Sequence, residues 1–181
     1  MKELAEAGVG IVSGLAFGID GIAHYTALKN GGKTFAVLGS GVDRAAVAPA
    51  SHQMLADEIL ATGGGIISEY LPGSKPTAYS FQARNRIIAG LSMATLVTEA
   101  PLTSGALITA ARCIDYNRDV LVLPHPIHSA QGAGCNAFLK RVAALITSAA
   151  DVLQILNLEC LKSPSRERPL PKNALEEKIF A

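Results

Sequence analysis

The chain has 181 residues, of which 49% are apolar and only 17% charged, with 17 glycines. This composition excludes a disordered or fibrous chain and fits one compact α/β domain with buried strands and tight turns. A net charge of +1 makes no global case for nucleic acid, no apolar run is long enough to span a bilayer, and three widely spaced cysteines without a C-x-x-C pair lead to the expectation of a reducing, cytoplasmic location.

Residues 2–7 predict a short helix ended by Gly8, and 9–13 a compact apolar strand. A helix ahead of the first strand suggests that the doubly wound pattern opens before Met1. Ser13-Gly14-Leu15-Ala16-Phe17-Gly18-Ile19-Asp20 then leads into a helix reaching about Asn30. Its small residues would let backbone N–H groups approach a phosphate; the alternative is a tight turn with Asp20 as an acid of the first helical turn. His24 lies four residues after Asp20 on the same helix face, a spacing that predicts a structural hydrogen bond rather than a catalytic dyad.

Gly31-Gly32 ends this helix, and 34–38 is the next strand. The loop Gly39-Ser40-Gly41-Val42-Asp43-Arg44 follows at the C-terminal end of that strand, the edge where ligands sit in open α/β sheets. A helix over 50–61, broken by Gly63-Gly64-Gly65, precedes a strand over 66–68 and Glu69. Pro72, Gly73 and Pro76 mark 71–79 as a loop. Further on, 94–98 reads as a strand, Ser104-Gly105 opens a helix to about Tyr116, and 120–123 is a strand stopped by Pro124-His125-Pro126. A helix over 135–143, a short strand over 145–147 and a helix over 149–156 complete a domain of residues 1–158. Residues 162–172 hold three prolines and read as a linker within a tail, 159–181. Five β→α steps predict a mostly parallel sheet with helices on both faces, its post-strand loops gathered into one cleft.

Between the loop at 71–79 and the strand at 94–98 stands Ser-Phe-Gln-Ala-Arg-Asn-Arg-Ile-Ile-Ala-Gly-Leu-Ser, residues 80–92. With Ser80 as a candidate N-cap, Arg84 and Arg86 fall in the first turns, where a helix presents free N–H groups and partial positive charge. Two guanidiniums at a helix N-terminus make an anion site, and Phe81 adds a flat surface for a base. The alternative has the arginines paired with acids and Phe81 filling the core. Residues 75–118 hold five basic side chains against Glu99 and Asp115, a local positive excess centred on this stretch.

Several blocks stand in a specific order: Ser13-Gly14-Leu15-Ala16-x-Gly18-Ile19-Asp20-x-x-Ala23-His24; Ala36-Val37-Leu38-Gly39-x-Gly41-x-Asp43-Arg44; and Phe81-x-x-Arg84-Asn85-Arg86-Ile87-Ile88-Ala89-Gly90-Leu91-Ser92. They are followed by Glu99-Ala100-x-x-x-Ser104-Gly105-x-Leu107-Ile108-Thr109-Ala110 and Gly134-Cys135-Asn136. Together they resemble the DNA-processing protein A family (DprA/Smf) over roughly residues 9–156. The resemblance implies an extended Rossmann-like fold without known enzymatic activity; no cofactor or metal is expected. It further implies single-stranded DNA binding, a homodimer, and help in loading the RecA recombinase during natural transformation. On the matching positions, Phe81 would stack on a base, Arg84 and Arg86 would contact phosphates, and Asn85 would stand between them. Ser104, Gly105 and the loop of Gly39, Gly41, Asp43 and Arg44 would line the same pocket. The chain departs from the family at Leu123-Pro124-His125, where many members have Val-Pro-Gly, and at Ala78, often a basic position. Neither the family's glycine–serine–arginine turn nor its winged-helix module has a counterpart in the sequence.

A second class is the Rossmann-like phosphoribohydrolases, whose Pro-Gly-Gly-x-Gly-Thr-x-x-Glu turn holds a nucleotide phosphate. Aligning Thr109 with that threonine puts Arg112 at the glutamate position, and Ser104-Gly105-Ala106 replaces Pro-Gly-Gly. Asp20, Glu69 and Glu99 could meet as carboxylates, but they are expected to orient the arginines or cap helices. His125 and His128 lack a third ligand for a metal. No G-x-G-x-x-G fingerprint is present, so NAD is not expected. Cys113, Cys135 and Cys160 contain no C-x-x-C pair and predict reduced, buried thiols. The apolar segments over 139–158 offer either a dimer face or a core helix.

Overall fold

Six short apolar runs pair as strands, with a helix between each strand and the next, in a computed structural model that describes residues 1–158. The predicted linker and tail, with Cys160, lie outside the described residues. In chain order the elements are α1 (Lys2–Glu6), β1 (Ile11–Ser13), α2 (Ile19–Lys29), β2 (Thr34–Val37), α3 (Gln53–Ala61), β3 (Gly65–Ile67) and α4 (Ala78–Leu91). They continue with β4 (Ala94–Val97), α5 (Gly105–Asp115), β5 (Asp119–Val122), α6 (Ala133–Leu139), β6 (Ala144–Leu145) and α7 (Ala149–Ile155).

All pairings are parallel, with Ile11 opposite Thr34, Phe35 opposite Gly65, Ala94 opposite Asp119 and Leu121 opposite Ala144. A helical crossover between consecutive strands requires this polarity, and it covers strand faces on both sides. Val120, Leu121 and Val122 are accordingly all buried, without the alternation of a half-exposed strand. Gly31 (φ +71°) and Gly63 (φ +76°) end α2 and α3 in the left-handed conformation. The next residues close the turns, Gly32 N–H on Ala27 O and Gly64 N–H on Ile59 O, both at 2.9 Å.

The parallel α/β architecture is as the sequence predicts, with one difference. The strands divide into two sheets of three, β1-β2-β3 and β4-β5-β6. The edges of β1 and β4 line a cavity of about 860 Å³ shared with Met1, Leu4, Val152 and Leu156. The two edges are not paired with each other among the described residues, and the buried Thr95 and Thr98 hydroxyls have no hydrogen-bond partner. Helix α4 bridges the halves, packing on β1 and β2 and against α5. One core gathers Ala89, Val97, Ala110, Val120 and Val122 around the buried, free Cys113 and Cys135; another gathers Leu15, Ala36, Leu38, Val47 and Ile59.

Smaller differences concern element ends. Residues 50–52 form a 3₁₀ turn ahead of α3. The helix predicted over 135–143 stops at Leu139 because the N–H groups of Arg141, Val142 and Ala143 all converge on Phe138 O.

Candidate nucleic-acid interface

Thr77, not Ser80, caps α4. Its hydroxyl accepts the Ser80 N–H (3.0 Å), while the Ser80 hydroxyl accepts the Thr77 N–H (2.8 Å), a reciprocal capping box. The helix therefore starts earlier than the sequence reading has it. Phe81 and Arg84 lie beyond the first three residues, whose N–H groups are the free ones.

Arg84 is 4% exposed. Its Nη1 donates to Gly14 O (2.7 Å) and to Val37 O, and its Nε donates to Asn85 Oδ1 (3.1 Å). Burial lowers its pKa from the ordinary value, with the Asp20 carboxylate acting the other way. The guanidinium thus clamps the ends of β1 and β2 onto α4. Its donors on Nη1 and Nε are thereby spent on the protein, which leaves Nη2 for the phosphate contact that the resemblance implies. A side chain at residue 14 would collide with it, since a Cβ there would lie 2.3 Å from the guanidinium nitrogens. The chemistry therefore demands Gly14.

Above this clamp sits Phe81, half-buried, its ring centroid 5.8 Å from the guanidinium carbon. Gly39 supports it from the β2 loop, where a Cβ would meet the ring at 3.1 Å. Asn85 reaches the next turn, donating to Gly105 O (3.4 Å). Ser104 caps α5 by accepting the Ala106 N–H (3.2 Å), and Gly105 has open space beside it. Arg86 is exposed and pairs with Glu69, so that carboxylate orients an arginine as the sequence suggests. Phe81, Arg84, Asn85 and Gly105 all line the cavity between the sheets.

The rest of the second glycine loop turns away. Asp43 accepts the Gly73 N–H (2.5 Å), Gly41 N–H donates to Ser74 O (2.9 Å), and Arg44 pairs with Asp57 of α3 at 3.0 Å. Gly41 and Asp43 shape the 71–74 loop, Arg44 ties to α3, and none of the three lines the cavity.

The first glycine turn resolves in favour of the carboxylate. Asp20 accepts N–H bonds from Gly14 (2.9 Å) and Ala16 (3.3 Å), filling the positions a phosphate would use. Leu15 has φ +58°, a conformation that costs a non-glycine residue about 1–3 kcal/mol; it drives the Leu15 side chain into the core, where it is fully buried. His52 Nδ1 donates to Leu15 O (2.9 Å). His24 bonds Thr34, not Asp20. The Thr34 hydroxyl gives its proton to Ile11 O (2.9 Å), so it accepts from His24 Nδ1 (2.6 Å) and leaves buried Nε2 without a partner. Burial lowers the His24 pKa from 6.5 to about 4, opposed by Asp20.

His125 is structural as well, with Nε2 donating to Thr98 O (2.8 Å) and its backbone paired with the Asn136 amide. Among the described residues no cluster of His, Cys, Asp and Glu could hold a metal. Arg112, at the position of a phosphoribohydrolase glutamate, is exposed and pairs with Asp115 at 3.2 Å. Two contributors escaped the sequence reading: Thr77, legible in the Thr-x-x-Ser spacing, and the Val37 carbonyl, which carries no side-chain signal.

Fold and rim define a Rossmann-like α/β protein that presents an aromatic ring and a buried arginine at the C-terminal edge of parallel sheets. Residues 1–157 match the family model of DNA recombination-mediator protein A, and the chain belongs to that family. It is 44% identical over 155 residues to Protein Smf of Escherichia coli (strain K12), covering 86% of this chain and 41% of that one. It is 46% identical over 143 residues to DNA processing protein DprA of Streptococcus pneumoniae, covering 79% and 50%. The X-ray structure of the Streptococcus pneumoniae protein matches with a TM-score of 0.77 at 42% identity, over 84% of this chain and 53% of that one. DNA processing protein A from Helicobacter pylori, whose structure describes a single-stranded DNA binding mode, matches at 0.74 and 31% identity, over 86% and 69%. The chain spans half or less of the length of these two curated relatives. Among the described residues no helix is long and apolar enough to cross a membrane.

Proposed function

We propose that this chain binds single-stranded DNA along the C-terminal edge of its sheets. It does so within a DNA-processing protein that protects incoming DNA and helps load RecA during natural transformation, as a cytoplasmic homodimer and without catalysis. The observation that carries this reading is Phe81, a half-buried ring at the cavity rim, backed by Gly39 and poised over the Arg84 guanidinium. A ring held this way offers a face to any base, and stacking contributes about 1–3 kcal/mol per base without sequence preference. Arg86 supplies phosphate affinity by exchanging Glu69 for the strand, with release of counterions. Gly105 leaves room for the backbone at the start of α5. Arg84 acts beneath the surface by holding the loops and polarising the ring from below. The Helicobacter pylori relative supports the choice of a single strand as ligand.

A mobility-shift competition tests this. A labelled oligothymidine bound to the chain is challenged with unlabelled oligothymidine or with duplex of equal length. The single strand is expected to displace it and the duplex to be a poor competitor. Equal competition, or no shift by folded chain, contradicts the reading.

A further inference from the structure

Phe17 is 73% exposed, on the turn between β1 and α2. Singly exposed apolar side chains are ordinary on a protein surface, so its exposure alone assigns nothing. The turn that carries it is rigidly built. Asp20 holds the N–H groups of Gly14 and Ala16, His52 holds the Leu15 carbonyl, and Arg84 holds the Gly14 carbonyl. Leu15 adopts a left-handed backbone conformation that sends its own side chain into the core. Strain kept at a turn of this kind points to a role for what the turn displays. What it displays is the Phe17 ring, in a T-shaped contact with His52 with centroids 5.5 Å apart and planes at 63°.

The placement indicates the ligand. Phe17 lines the same cavity as Phe81, with Ala16 and Pro49 also on its wall. The Arg84 side chain that lies under Phe81 also grips the residue that opens the Phe17 turn. The two rings therefore belong to one mechanically coupled rim. We infer that Phe17 is a second base-stacking platform, which takes another base of the same single strand that Phe81 engages. This rests on the single-stranded DNA reading. A strand crossing the rim then meets two aromatic faces on rigid supports, so little ordering is required on binding.

The test compares Phe17→Ala, Phe17→Leu, Phe17→Tyr and Phe81→Ala with the unchanged chain, using anisotropy of labelled oligothymidines of increasing length. Thermal melting confirms that each variant folds, as an exposed ring permits. Phe17→Ala and Phe17→Leu are expected to weaken binding of long oligonucleotides by about 5- to 100-fold, while Phe17→Tyr retains it. The shortest oligonucleotides that still bind are expected to respond to Phe81→Ala and not to Phe17→Ala. Loss on Phe81→Ala with no loss on Phe17→Ala at any length overturns this inference and leaves the DNA reading standing. If Phe17→Ala leaves DNA affinity intact but alters self-association, Phe17 is a protein contact and the inference fails. No binding by the folded, unchanged chain removes the underlying reading and the inference with it.

Discussion

Phe81→Ala is expected to weaken single-strand affinity about 5- to 100-fold while the chain stays folded. An unchanged affinity with a large fall in melting temperature would make Phe81 a core residue instead. Arg84→Ala behaves differently, because it strands the Gly14 and Val37 carbonyls beneath the rim. Unsatisfied buried acceptors cost about 1–3 kcal/mol each, so denaturant unfolding should show a loss of several kcal/mol. Arg86 is exposed, and Arg86→Ala should leave stability nearly unchanged while reducing the salt slope of DNA binding by up to about one. Glu69→Ala should raise affinity by releasing Arg86 from its partner. His24 gives a pH signature. Burial holds it neutral in the fold down to a pKa of about 4, against 6.5 ordinarily. Between those values the unfolded chain binds more protons, so stability is complete above pH 6.5 and falls as pH drops toward 4. This contributes about 2 kcal/mol between pH 7 and 5. Denaturant titrations should show that loss, and a smaller one in His24→Asn.

At the scale of elements, the start of α4 decides how firmly Phe81 is held. Thr77→Ala removes the cap and should cost about 1 kcal/mol in unfolding free energy, with weaker DNA binding from a loosened first turn. The existence of this helix was legible from its apolar run, but its start was not. Prolines at 72 and 76 read as loop up to Tyr79, and both Thr77 and Ser80 are competent caps. The turn at residues 14–20 was ambiguous for a related reason. A carboxylate and a phosphate satisfy the same amide donors, so only coordinates reveal that Asp20 occupies them. Phe81 and Asn85 stood out as an aromatic ring and an amide among two arginines, and Gly105 as the opening of a helix after a strand. The burial of Arg84 was not legible, because the carbonyl that its Nη1 reaches, that of Gly14, lies 70 residues away.

Across the whole molecule, strand polarity followed from the β→α order, whereas strand adjacency did not. Crossovers require parallel pairing but do not say which edges close, and here β1 and β4 face a cavity in place of each other. β2 and β5 are paired on both sides. Their amides should be the slowest to exchange in native-state hydrogen exchange, with faster exchange at the cavity edges of β1 and β4. Uniform protection across all four strands would mean that the two sheets join in solution. Helix α4 touches both halves, so a ligand held on it reports on their relative stability.

Single-strand binding at the Phe81 edge is the proposal on which the rest depends. Its most direct test is a fluorescence-anisotropy titration of a labelled single-stranded oligonucleotide over a salt series, with the matching duplex as control. Saturable binding is expected, preferring the single strand and weakening steadily as salt rises. Salt-independent binding, or equal affinity for duplex, would contradict it.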